Sequence, residues 1–138
     1  KVFKECQNLP KQTLPAGFLL HAAQAATRSI PTLTPRALWD QMHSAVPPQI
    51  YDVREPREFQ RAHIPDSRLL PLPRILTEPA SLPRDQHIVL ACRTGRRSAR
   101  AAQALAQQGY ANLAILEGGL VAWEAAGLLE AVNLKEDV

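Results

Sequence analysis

From Ser29 onward, short apolar runs of strand length alternate with segments of helical character, and few folds accommodate that pattern. Ile30–Leu33, Gln49–Val53, Ser67–Leu70, Ile88–Ala91 and Leu113–Leu116 are the expected strands. Thr34 and Pro35 supply an N-cap and a first helical position, where proline has no needed N–H to lose, for a helix over Arg36–Ser44. A helical turn is expected over Pro56–Arg61, and a helix over Ser98–Gln108 closed by Gly109. Gly118 and Gly119 then turn the chain into a last helix through Trp123, ended by Gly127. Pro71, Pro73, Pro79 and Pro83 mark the stretch before Ile88 as loop. Short strands that are apolar throughout and joined through helices predict an α/β domain, its parallel sheet flanked by helices on both faces.

The 138 residues suffice for one domain with its own core, and 46% apolar content is ordinary for a globular protein. Residues 1–28 differ in character from the rest: Pro10 and Pro15 precede an alanine-rich, apolar segment, Ala16–Ala26, suited to an amphipathic helix. The expected organisation is an N-terminal helical extension over 1–28 and a domain over 29–138. Lys1 is not an initiator methionine, as in a processed chain or a piece of a longer one. His21 and Gln24, with few basic residues around them, argue for packing of this segment rather than membrane-surface binding. No run approaches the ~18 apolar residues of a membrane span. The net charge of +3 gives no warrant for nucleic-acid binding.

Chemistry concentrates in Ile88–Arg100, IVLACRTGRRSAR. The strand stops at Cys92, a loop with Gly95 follows, and Ser98 opens the alanine-rich helix as N-cap or first-turn residue. A helix start presents unpaired N–H groups and partial positive charge, and Arg93, Arg96, Arg97 and Arg100 add to that field. No acidic residue occurs between Gln86 and Leu116. Gly95 lets the loop curl so that N–H groups from Arg93 to Ser98 turn inward, a setting for an anionic sulfur and incoming oxyanions. Cys6 lies far from Cys92, with no CxxC or zinc-ligand spacing, and reads as an incidental thiol rather than a resolving partner. No metal or organic cofactor is expected. A reactive thiol works in a reducing compartment, which points to the cytoplasm.

Four motifs in order extend the picture: YDVREPREF (Tyr51–Phe59), AHIPDS (Ala62–Ser67), ACRTGRRSARAA (Ala91–Ala102) and LEGGLVAW (Leu116–Trp123). With these the chain resembles the rhodanese family of sulfurtransferases over roughly Ile30–Gly127. The resemblance implies a five-stranded parallel sheet, a sulfane sulfur carried on Cys92, and a cradle formed by Arg93, Thr94, Gly95, Arg96 and Arg97. It further implies a ping-pong reaction, from a small anionic sulfur donor such as thiosulfate to a cyanide or thiol acceptor. Arg93 and Arg97 are the first candidates to guide the donor, with Arg96 as the alternative.

Asp52, Arg54 and Glu58 match the family's DVR-x-x-x-E pattern and are expected to pair and hold the loops near the sheet edge. His63 falls in the family's HIPGA segment as a turn-forming residue, and Asp66-Ser67 replaces the usual Gly-Ala there, which puts that turn in question. His21, His43 and His87 are expected at the surface, Trp39 and Trp123 in packing. Three rivals remain. A cysteine phosphatase would carry C-x5-R, whereas Cys92 and Arg97 are spaced C-x4-R and Ala91 precedes the cysteine where phosphatases place histidine. A non-catalytic module of the same family commonly lacks the cysteine or has a degraded loop, whereas Cys92 and the arginines are intact here. A sulfur-relay domain, passing persulfide sulfur to a protein acceptor, would share this loop.

Overall fold

A computed structural model describes residues 30–128. The extension over 1–28, with Cys6, His21 and the helix expected over Ala16–Ala26, lies outside the described residues. In chain order the elements are β1 (Thr32–Leu33), α1 (Pro35–Met42), β2 (Gln49–Asp52), α2 (Pro56–Arg61), β3 (Arg68–Leu69) and α3 (Leu72–Thr77). A 3-10 turn (Pro79–Ser81), β4 (Ile88–Ala91), α4 (Arg96–Gln107), β5 (Leu113–Leu116) and α5 (Gly119–Ala125) complete them. The strands form one sheet in the order β1-β5-β4-β2-β3, every neighbouring pair parallel. That is the expected α/β architecture.

The apolar strands are apolar because both faces of the sheet are covered. In β4, Ile88 and Leu90 join a cluster with Ile75, Ala101, Ala102 and Leu105, so α3 and α4 lie on that face. Val89 and Ala91 join Leu38, Leu120 and Trp123 on the other, the face of α1 and α5. Alternation within the strand thus feeds two cores at once. Helix α4 buries Ser98, Ala101, Ala102 and Leu105, the i, i+3, i+4, i+7 stripe of a helix on a sheet.

Several boundaries differ from expectation for local reasons. Thr34 does cap α1, its Oγ1 accepting from the Ala37 N–H at 3.1 Å, but the helix stops at Met42, not Ser44. His43 and Ser44 leave the spiral and bond the last carbonyls instead, His43 Nδ1 to Trp39 O and Ser44 Oγ donating to Gln41 O, each at 2.7 Å. The proline-marked stretch is not all loop. Pro73 sits in the first turn of α3, where no N–H is required, and the helix is held by burial of Leu72 and Ile75. The outer strands are shorter than expected, two residues each, because each is paired along one edge only.

Candidate active site

Strands β2 and β4 are neighbours in parallel register, Asp52 beside Ala91, so their C-terminal ends open on the same edge. Ligand sites of open parallel sheets form at such edges. Cys92 follows the last residue of β4, and Val53 N–H donates to Ala91 O at 2.9 Å, locking the two exits together.

The chain then curls. Gly95 adopts φ +112 as the N-cap of α4, a left-handed conformation that glycine takes without a Cβ penalty. The helix accordingly starts at Arg96, two residues before the expected Ser98, and Ser98 is its third residue. Serine's capping preference suggested the later start, but a left-handed glycine caps by backbone geometry instead. The curl brings two main-chain donors onto one sulfur: Gly95 N–H at 2.9 Å and Ser98 N–H at 3.4 Å from Cys92 Sγ. Cys92 is only 1% exposed and packs against the core, while its sulfur takes these two hydrogen bonds. Ser98 is fully buried, and its Oγ finds no hydrogen-bond partner among the described residues.

The loop's carbonyls turn the other way, toward α5. Leu120 N–H donates to Cys92 O at 2.8 Å and Val121 N–H to Arg93 O at 3.1 Å. These are first-turn donors with no partner inside their own helix. Gly119 makes the approach possible. It has φ +63, and a Cβ there would collide with the carbonyl oxygens of both Cys92 and Arg93. The LEGGL motif therefore serves the cysteine loop directly.

Charges divide into the paired and the unpaired. Asp52, 1% exposed, receives the Arg54 backbone N–H at 3.0 Å and its Nη2 at 2.7 Å, and Arg54 Nη2 also donates to Ala62 O at 2.7 Å. This buried pair ties the exit of β2 to the segment after α2. Glu58 is not part of it. Its two oxygens receive Arg97 Nη1 at 2.8 Å and Nη2 at 3.1 Å, and Oε1 also accepts the Glu55 N–H at 2.9 Å. Arg97 holds the Glu58 carboxyl well below the carboxylate range, from 4.5 to about 2, against an opposing push from partial burial. Glu58 in turn raises Arg97 above the usual guanidinium value. Arg93, Thr94 and Arg96 are exposed, and among the described residues no carboxylate pairs with either arginine.

The structure therefore gathers Cys92, Gly95 and Ser98 around one sulfur, ties Arg97 to Glu58, and leaves Arg93, Thr94 and Arg96 at the rim. Sequence reasoning did not anticipate Gly119, Leu120 and Val121, since main-chain contacts leave no side-chain signature beyond the paired glycines. His63 caps locally, its Nδ1 hydrogen-bonded to Phe59 O at 2.8 Å. Among the described residues no group of His, Cys, Asp and Glu is arranged to hold a metal ion, and no helix is long and apolar enough to cross a membrane.

Comparison with known proteins agrees with this geometry. The family model described as Rhodanese-like domain matches residues 34–126. A probable adenylyltransferase/sulfurtransferase, MoeZ, of Mycobacterium tuberculosis is 42% identical over 104 residues, 74% of this chain but only 26% of that protein. The thiosulfate sulfurtransferase GlpE of Pseudoalteromonas translucida is 38% identical over 77 residues, 56% of this chain and 73% of its own. Among solved structures, a rhodanese-related protein of Thermoplasma volcanium superposes with a TM-score of 0.64 at 29% identity, covering 70% of this chain and 93% of that one.

Proposed function

The chain belongs to the rhodanese-like domain family of sulfurtransferases, and on that premise we propose that it moves a sulfane sulfur from thiosulfate, or a donor like it, through a persulfide on Cys92. Two main-chain N–H groups aimed at one sulfur at the end of β4 carry this assignment. Donors fixed by the backbone stabilise negative charge with little reorganisation, and they serve a thiolate or a persulfide alike.

Both half-reactions are displacements at sulfur. The Cys92 thiolate attacks the outer sulfur of thiosulfate, the donor's S–S bond breaks, and sulfite leaves with the bonding pair. Cyanide or a thiolate then attacks the terminal sulfur of the persulfide. That S–S bond breaks, thiocyanate or a new persulfide departs, and the Cys92 thiolate returns. Charge and electrons balance without an external carrier. Arg93 and Arg96, exposed at the rim with Thr94, draw in the anionic donor, while Gly95 and Ser98 hold the sulfur and Arg97 stays tied to Glu58. A thiol of this kind works in a reducing compartment, for which the cytoplasm is the natural assignment.

A relay role is the second reading, favoured by the match to one quarter of a longer adenylyltransferase/sulfurtransferase. There the acceptor is a protein, while the loop chemistry is unchanged. Intact-protein mass after incubation with thiosulfate tests the shared step. The expected result is a gain of one sulfur atom, lost on treatment with dithiothreitol and absent in Cys92→Ser. An unaltered mass in the wild-type protein overturns the persulfide. Release of thiocyanate on adding cyanide, but no phosphate from an aryl phosphate, separates this chemistry from that of a cysteine phosphatase.

A further inference from the structure

We propose that Glu58 is a positioning residue for sulfur transfer, holding Arg97 so that the Gly95 and Ser98 amides stay fixed on the Cys92 sulfur. The proposal rests on the persulfide chemistry above and assigns roles to Arg93, Arg96 and Arg97 of the cysteine loop.

The loop is pinned at two places. On one side the first-turn amides of α5 hold the carbonyls of Cys92 and Arg93. On the other, Arg97 is clasped by both oxygens of Glu58. Glu58 is itself held by the Glu55 N–H, and Glu55 follows Arg54, which is locked onto Asp52 and the Ala62 carbonyl. Two sets of charge-assisted contacts, joined through the Arg54–Glu55 peptide bond, thus run from the end of β2 to the start of α4. Ser98 comes next after Arg97, and its N–H is 3.4 Å from Sγ. A displacement of α4 by about an ångström takes that donor out of range of the sulfur. Misplacement on that scale at a reacting centre costs on the order of 10²-fold in rate.

The same clasp decides which cations are available. The carboxylate takes two of the five Arg97 N–H donors and offsets the guanidinium charge, so Arg97 attracts an anion less than an unpaired arginine does. Arg93 and Arg96 are exposed and, among the described residues, unmatched by any carboxylate. Arg97 therefore acts through the loop, and donor affinity resides in Arg93 and Arg96.

Steady-state thiosulfate:cyanide kinetics on Glu58→Gln, Arg97→Glu and the swapped pair Glu58→Arg/Arg97→Glu test this, together with amide hydrogen exchange at Gly95 and Ser98. For Glu58→Gln we expect kcat to fall about 10-fold or more with KM for thiosulfate within about 2-fold, as for loss of positioning rather than of binding. The Gly95 and Ser98 amides should exchange about 10-fold faster in that variant while core amides of β4 do not change. The swapped pair should recover most of the kcat lost in Arg97→Glu, again at near wild-type KM. A swap that restores kcat but raises KM about 10-fold shows that the Arg97 guanidinium binds the donor, and overturns the assignment. So does a Glu58→Gln protein with unaltered kcat and exchange. Should the wild-type protein take no sulfur from thiosulfate, the persulfide reading fails, and exchange at Gly95 and Ser98 still decides whether Glu58 fixes the loop.

Discussion

At the scale of single residues, two backbone positions set the loop and its surroundings. Gly119 is held at φ +63 with no room for a Cβ beneath the Cys92 and Arg93 carbonyls. Gly119→Ala should therefore destabilise by about 3 kcal/mol or more and abolish sulfur transfer, because the clash and the left-handed strain fall on the same atom. A thermal melt together with the thiosulfate assay reads both effects. Asp66 is the one non-glycine residue at positive φ, +66, among the described residues. Aspartate tolerates this conformation better than most side chains but not without cost. Asp66→Gly should raise stability by about 0.5–1 kcal/mol in chemical denaturation and leave turnover as it is. The turn left in question by Asp66-Ser67 is thus made in the way glycine would make it, with Ser67 Oγ donating to Ile64 O at 2.6 Å.

At the scale of elements, α2 and α4 meet through one ion pair, and acid should part them. A carboxyl whose folded value is depressed from 4.5 to about 2 stabilises the fold fully above about pH 4.5, and that contribution is lost as the pH falls toward 2. Both side chains are about a third exposed, at 33% and 29%, so the pair contributes about 1 kcal/mol, not more. Wild type and Glu58→Gln should differ in stability by that much at neutral pH and converge between pH 4.5 and 2. A gap that persists at pH 2 would argue against the ion pair as its source. Elements with a strong periodic signal were legible in advance. β4, with all four residues buried, and α4, with its stripe from Ser98 to Leu105, read directly from apolar spacing. Helix α3 did not, because its prolines occupy the N-cap and first turn, where they are harmless, yet they look like loop from sequence. The site divided along similar lines. Cys92 and its arginines could be singled out, whereas Arg97 pairing with Glu58 across 39 positions leaves no local trace.

For the whole molecule, the parallel sheet with a core on each face keeps the exits of β2 and β4 rigid, and the reactive loop is carried on that edge. Between Gln86 and Leu116 the chain has four arginines and no carboxylate. Attraction of an anionic donor by such a field is screened within roughly 8 Å at physiological ionic strength. KM for thiosulfate should accordingly rise several-fold between low salt and about 0.5 M, with kcat little altered, as steering acts on encounter rather than on the displacement. A KM indifferent to salt would remove the rim arginines from substrate capture.

Because the contacts that grip the sulfur come from the main chain, and α5 grips that main chain in turn, the outward side chains at positions 93, 94 and 96 carry no part of the scaffold. Reactivity and selectivity are therefore separable inheritances in this loop. Evolution, or a designer, can rewrite those three letters to recruit a different sulfur source while the nucleophile keeps its setting.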